Sequence, residues 1–207
     1  MTELKGLLAS LAEDVIAARE ALSTSDMPVN RRNLVRATLV AVEGLVWEAR
    51  QQLRTIAHDM DELTPLADLA LQEQSYQVSA NGELIETVKY VSITASIRLV
   101  VAQAKLLSSR VDIDFSNAGW QKLQQAIAIR NRLTHPKCLH DLDVTRTEIT
   151  VINAGFEWLL AEITILLENL VTALRDYVSD IKEVTDALLR GDPTALRLYQ
   201  KVLNAED

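Results

Sequence analysis

Apolar residues recur at intervals of three and four along almost the whole chain, and that period dictates helices. Leu4, Leu7, Leu8, Leu11 and Val15 mark one such face at the start. Leu39, Val42, Val46, Ala49 and Leu53 mark a second, and Ile93, Ile97, Val100, Val101, Ala104 and Leu107 a third. Only 6 Gly and 4 Pro occur in 207 residues. That is little material for the many turns an all-β fold needs. The expected architecture is all-α: an antiparallel helical bundle with one small inserted β-hairpin.

Start and stop signals divide the chain. "STSDMP" interrupts the first helix, and a longer one is expected from about Arg31 to Ala57. Thr64-Pro65 opens a short helix, Leu66 to about Gln74, because proline suits the first helical position and threonine can cap it. Asn81-Gly82, flanked by Tyr76, Val78, Leu84 and Ile85, predicts a hairpin closed by a two-residue turn. Ser92 can cap a helix reaching Ser108. Trp120, Leu123, Ile127 and Arg130 define the next, which must finish at or before His135 because Pro136 disfavours helical geometry there. The capping box Thr145-x-x-Glu148 opens the longest helix, about Arg146 to Tyr177. Asp180 to Arg190 is read as a separate helix stopped by Gly191, and Asp192-Pro193 caps a last one. The chain is expected to form a single domain over 1–207, with a core of about 31–178 and a C-terminal helical extension of about 180–205.

A composition of 48% hydrophobic and 24% charged residues fits a globular protein with a sizeable core. The single cysteine, Cys138, excludes an internal disulfide and fits a reducing compartment. "MTELKGLLASLAEDVIAARE" carries acids within its apolar pattern and reads as an amphipathic helix, not a signal peptide. The longest apolar run is read as "ASIRLVVAQAKLL", interrupted by Arg98 and Lys105 and short of the roughly 20 residues that span a bilayer. A cytoplasmic location and no membrane partner are expected.

The net charge of -8 argues against broad, non-specific nucleic-acid binding. The charge is uneven, however. Between Gly119 and Thr147 stand Lys122, Arg130, Arg132, Lys137 and Arg146 against only Asp141 and Asp143, a net +3 within an acidic protein.

In that basic stretch, "AIAIRNRLTHPK" ends an apolar helix with Arg130 and Asn131 and sets His135 just beyond. This supplies a permanent cation, a group that titrates near neutral pH, and an amide able to orient either. A histidine can move protons during attack by a ribose 2′-hydroxyl, and an arginine can stabilise charge growing on phosphoryl oxygens. No metal or other cofactor is required by that chemistry. The bland alternative is electrostatic, since cations at a helix C-terminus are favoured by the macrodipole.

The wider segment "WQKLQQAIAIRNRLTHPK" resembles the signature helix of the HEPN superfamily, the higher eukaryotes and prokaryotes nucleotide-binding domains. Its mark is an arginine, often followed by a polar residue, with a histidine after a spacer of four to six. Arg130, Asn131 and His135 match at the four-residue spacing. The resemblance implies an all-α bundle and metal-independent endoribonuclease activity, with two-fold homodimers bringing two Arg/His pairs into one cleft. His135 would transfer protons, Arg130 would hold the scissile phosphate, and Asn131 would orient them. RNA would be the substrate, a toxin or defence role would follow, and an antitoxin protein would be a partner. Lys137 stands where members controlled by adenylylation carry a tyrosine, so that control is not expected. Adaptor members often lose the Arg or the His, whereas this chain keeps both. The rival expectation is a non-catalytic helical interaction or nucleotide-binding module on the same fold.

Further candidates surround the motif. Glu43, in the apolar helix "RATLVAVEGLVWEAR", is read as a residue that could orient Arg130 or else as a plain surface glutamate. Arg132 and Lys137 are candidate substrate-binding cations. Arg31, Arg32 and Arg36 more readily form a solvated helix start than a phosphate rim. "HPKCLH" lacks zinc-site spacing, Cys138 is expected to be a partly buried thiol, and His58 is expected at a helix end among acids. Trp47, Trp120 and Trp158 are expected in the core. Nothing resembling a P-loop, a dinucleotide-binding glycine pattern or an H-E-x-x-H helix occurs.

Overall fold

A computed structural model describes residues 2–204. Seven α-helices and one hairpin follow in the order α1 (Thr2–Thr24), α2 (Pro28–Asp59), α3 (Pro65–Leu71), β1 (Gln74–Val78), β2 (Leu84–Val88), α4 (Ile93–Leu107), α5 (Ala118–Thr134), α6 (Arg146–Leu189) and α7 (Pro193–Leu203). The fold is all-α with a small inserted hairpin. The side chain of Leu4 and position 205, where the expected C-terminal extension ends, lie outside what is described.

Local signals set most boundaries. Thr64 accepts from the Ala67 N–H, Ser92 from Ala95 and Asn117 from Trp120, so α3, α4 and α5 each begin with one orphan donor satisfied. Thr145 and Glu148 form the reciprocal capping box that starts α6. Gly191, at φ +73°, ends α6, and Asp192 caps α7 through the N–H groups of Thr194 and Ala195.

α2 lies at the centre and packs against α1, α4, α5 and α6. Its buried residues include Val35, Leu39, Val42, Val46, Ala49 and Leu53, which join Ile97, Val100, Ala104, Leu123, Ile129, Ile152, Leu159, Ile163 and Leu170 in one core. Each large aliphatic among them contributes roughly 1.5–3 kcal/mol by leaving water. α1 adds a second cluster in which Val15 packs with Leu34 and Ala41. α5 and α6 form an antiparallel pair at very close approach. A Cβ on Gly155 of α6 would stand 2.8 Å from the backbone N and Cα of Leu123, so only glycine lets these two backbones touch. Trp120 seals the start of α5, edge-on to Phe115 at 4.8 Å and to Trp158 at 5.9 Å, with the Arg98 guanidinium 5.3 Å above its ring.

Several expectations are corrected. The hairpin closes through three residues, Ala80-Asn81-Gly82, because Ser79 and Glu83 still pair through Ser79 N–H and Glu83 C=O at 2.9 Å. Only Gly82, at φ +80°, takes the left-handed conformation, which suits a three-residue loop and not a two-residue one. α3 stops at Leu71, short of Gln74, as Glu73 turns to φ +56°. The two helices expected at 146–177 and 180–190 are one continuous α6. "VSD" offers no proline or glycine there, and serine and aspartate alone do not break a helix. α6, not α4, holds the most apolar long window, and by length and composition it could cross a membrane. Its inward residues Ile152, Leu159, Ile163, Leu166 and Leu170 belong to the core. Trp47 is 38% exposed, unlike buried Trp120, because it lies on the outer flank of α2. Cys138 is exposed in the turn after α5.

Candidate functional site

The site is built at the C-terminal end of α5. Trp120, Leu123, Ala126, Ile129 and Leu133 face inward. Arg130, one residue past Ile129, is therefore turned about 100° from the core line. On that flank α2 passes with Glu43, whose Oε1 accepts a charge-assisted hydrogen bond from Arg130 Nη2. Arg130 Nη1 also donates to Asn131 Oδ1 at 3.2 Å. Thr134 Oγ1 donates back to the Arg130 carbonyl at 2.9 Å, and the His135 N–H closes the helix on the Asn131 carbonyl at 3.0 Å.

His135 is the C-cap and its side chain is exposed. Its ring makes no hydrogen bond or ion pair to any described residue. No side-chain hydrogen bond joins Arg130 and His135 among the described residues. Asn131 is the link, since it lies four residues before His135 on the same helical line and holds Arg130 through its amide oxygen. The result is a fixed guanidinium and a free imidazole, carried by backbone positions roughly 8 Å apart along the axis. Glu43 and Arg130, 87 residues apart in sequence, are thus brought together by the α2–α5 packing.

Arg132 occupies the other flank. Its Nε donates to the Asp141 carbonyl at 3.2 Å, its Nη2 to the Asp143 carbonyl at 2.7 Å, and its Nη1 meets Glu148 Oε1 at 3.0 Å. These bonds tie the 135–145 connection to α5 and to the start of α6. Asp141 braces the same connection by accepting from the Lys137 N–H at 2.7 Å and the Cys138 N–H at 3.1 Å. Those backbone donors hold its carboxyl below the usual 3.8. Glu148 is pushed up by partial burial, yet the Thr145 N–H and Arg132 outweigh this and leave it below 4.5. Lys137 is exposed, with no ion-pair partner among the described residues.

Other candidates are dispersed. Arg31 pairs with Asp26 and donates to the Val144 carbonyl at 2.9 Å, and Arg32 reaches the Leu142 carbonyl at 3.3 Å. Both serve the α2–α6 junction. His140 pairs with Asp143 at 3.0 Å, and His58 lies 3.5 Å from Asp59 at the end of α2. No cluster of three or more His, Cys, Asp or Glu side chains suited to a metal is found among the described residues.

Next to the Arg130–Glu43 pair opens a groove that the sequence alone did not reveal. Trp47, Arg50, Glu73 and Tyr90 line it with Glu43. A signal did exist, because Glu43, Trp47 and Arg50 fall at positions i, i+4 and i+7 of one helix and so share a face. Trp47 was masked by its apolar neighbours. Compared with known proteins, the chain matches no family model, no curated protein and no solved structure.

Proposed function

We propose that this protein is a metal-independent endoribonuclease that cleaves RNA by attack of a ribose 2′-hydroxyl, acting as a homodimer in a toxin or defence role. The observation that carries the proposal is Arg130, held by Glu43 and Asn131, on the same helix end as the free imidazole of His135 in a segment of net positive charge. One imidazole accepts the 2′-hydroxyl proton as the 2′-oxygen bonds to phosphorus. A protonated imidazole of the second protomer donates to the departing 5′-oxygen, so the products are a 2′,3′-cyclic phosphate and a 5′-hydroxyl. Arg130 neutralises charge growing on the non-bridging oxygens. Lys137 follows the backbone as a mobile cation, while Arg132 holds the connection that carries it.

One observation favours a second function, a non-catalytic interaction or nucleotide-binding module. Arg130 is already neutralised by Glu43, and a phosphate has to compete with that carboxylate. The test is incubation of the purified protein with RNA in EDTA beside His135→Ala. Cleavage by wild type alone, with cyclic phosphate ends, supports the nuclease. Cleavage that persists in His135→Ala, or that requires added metal, overturns it.

A further inference from the structure

The groove beside Arg130 has a volume of about 290 Å³, at the small end of ligand sites and on the scale of one aromatic ring system. Two of its walls are aromatic side chains that the core does not use. Trp47 is 38% exposed and Tyr90, in the segment after β2, is 88% exposed. Arg50, only 3% exposed, lines the groove with them. Its Nε donates to the Leu71 carbonyl at 2.7 Å, its Nη1 pairs with Glu73 Oε1 at 3.0 Å, and its guanidinium sits 5.1 Å from the Trp47 ring centre. Its Nη2 is buried and finds no acceptor among the described residues. A buried charged donor left unpaired is costly and uncommon in native proteins.

The charges in the groove decide what it can hold. Glu43 and Glu73 both line it, and Arg50 is already compensated by Glu73. A phosphate would meet two carboxylates and is repelled. A neutral planar ring carrying amino groups would instead stack on Trp47 and Tyr90. Each carboxylate spends one oxygen on an arginine, leaving the other to accept from such an amino group. Glu43 belongs to both features, so the groove begins where the Arg130 phosphate position ends.

From this we infer that the groove is a nucleobase subsite. It receives the base next to the phosphate held at Arg130, and it favours the amino-bearing bases adenine, cytosine and guanine over uracil. Base stacking on aromatic side chains is the usual way single-stranded RNA is held. The identity of the chain that carries the base rests on the ribonuclease function above; the ring-binding chemistry of the groove does not.

The experiment measures binding of labelled oligo-adenylate, oligo-cytidylate and oligo-uridylate to the full chain carrying His135→Ala, in EDTA, by fluorescence anisotropy. Adenylate and cytidylate are expected to bind about ten-fold more tightly than uridylate. Trp47→Ala and Tyr90→Ala are each expected to weaken adenylate binding by roughly ten-fold. Both residues are exposed, and thermal melts of the variants confirm folding. Equal affinity for all three oligonucleotides, or adenylate binding unchanged in both variants, overturns the subsite. RNA cleavage that depends on His135 but not on Trp47 keeps the nuclease and discards the groove. Trp47-dependent binding without any cleavage keeps the groove and discards the nuclease.

Discussion

Arg130 and Arg132 stand two residues apart near the end of α5, carry the same charge and have similarly accessible side chains, 34% exposed in each case. The helix turns them about 200° apart, and the difference in use follows from that. Arg132 has a partner for every nitrogen it offers, two of them backbone carbonyls of the connection to α6. Arg130 is held by one carboxylate and one amide, both side chains, and the carboxylate, Glu43, also lines an open groove. An arginine committed to main-chain carbonyls is part of the framework. One held by side chains at a groove edge can exchange a partner for a ligand.

The sharpest break between the two flanks is chemical. Under the proposed function, Arg130→Ala or His135→Ala lowers RNA cleavage by roughly 10²–10⁴-fold, the range of a lost acid–base or charge-stabilising group. Thermal melts should move little, because His135 has no side-chain partner among the described residues and the partly exposed Arg130–Glu43 pair adds at most about 1 kcal/mol. A variant that loses both activity and several degrees of Tm would place Arg130 with the framework.

The platform under both flanks is the contact of α5 with α6. Gly155→Ala forces a methyl group to within 2.8 Å of the Leu123 backbone, so the helices must separate. Overpacking of this kind costs about 1–3 kcal/mol, and a urea titration should show a lower midpoint and an unfolding free energy reduced by that amount. Arg132→Ala comes next. It removes three bonds from the connection, for which about 2 kcal/mol is expected, or roughly 4–8 °C in Tm for a chain of this size. RNA affinity below the transition should stay near wild type. A large loss of affinity without loss of Tm would make Arg132 a substrate-binding residue after all.

Glu43 gives a subtler test. Its pair with Arg130 is partly exposed and worth at most about 1 kcal/mol to stability. As a positioning residue it predicts a roughly ten-fold lower kcat/KM in Glu43→Ala, with most activity retained in Glu43→Gln, which keeps an acceptor. Faster cleavage or tighter RNA binding in Glu43→Ala would instead show that the carboxylate withholds Arg130 from phosphate.

The helices were legible in the sequence because period, caps and stops agree locally. Thr145 with Glu148, Ser92, Thr64 and Pro136 each act within one turn of themselves. The end of α3 and the hairpin loop were misread where backbone geometry, at Glu73 and Gly82, decided the outcome. The site was half legible. Arg130, Asn131 and His135 are neighbours in sequence, and Glu43 stood out as an acid in an apolar helix. The groove was hidden because its parts come from α2, the turn after α3 and the segment after β2. Their meeting depends on how α2 is rotated, and Trp47 carries no sequence mark that separates a groove wall from a core ring. The same limit explains Arg132, whose role depends on where the 135–145 connection returns.

The smallest expected effect separates the flanks by acid. Asp141 sits wholly on the Arg132 side, and the Lys137 and Cys138 N–H groups hold its carboxyl below 3.8. Asp26, which joins α2 to α6 through hydrogen bonds from Arg31 and Arg146, is likewise well below the carboxylate range. A carboxyl whose pKa is lower folded than unfolded adds stability that is fully present above the unfolded value and disappears as pH falls through the folded one. Asp141→Asn should therefore lower Tm slightly near neutral pH. The gap from wild type should shrink as the pH drops below 3.8, where the wild-type carboxyl protonates and comes to resemble the amide. A gap that stays constant into acid would mean that shape, not charge, lets Asp141 brace the connection.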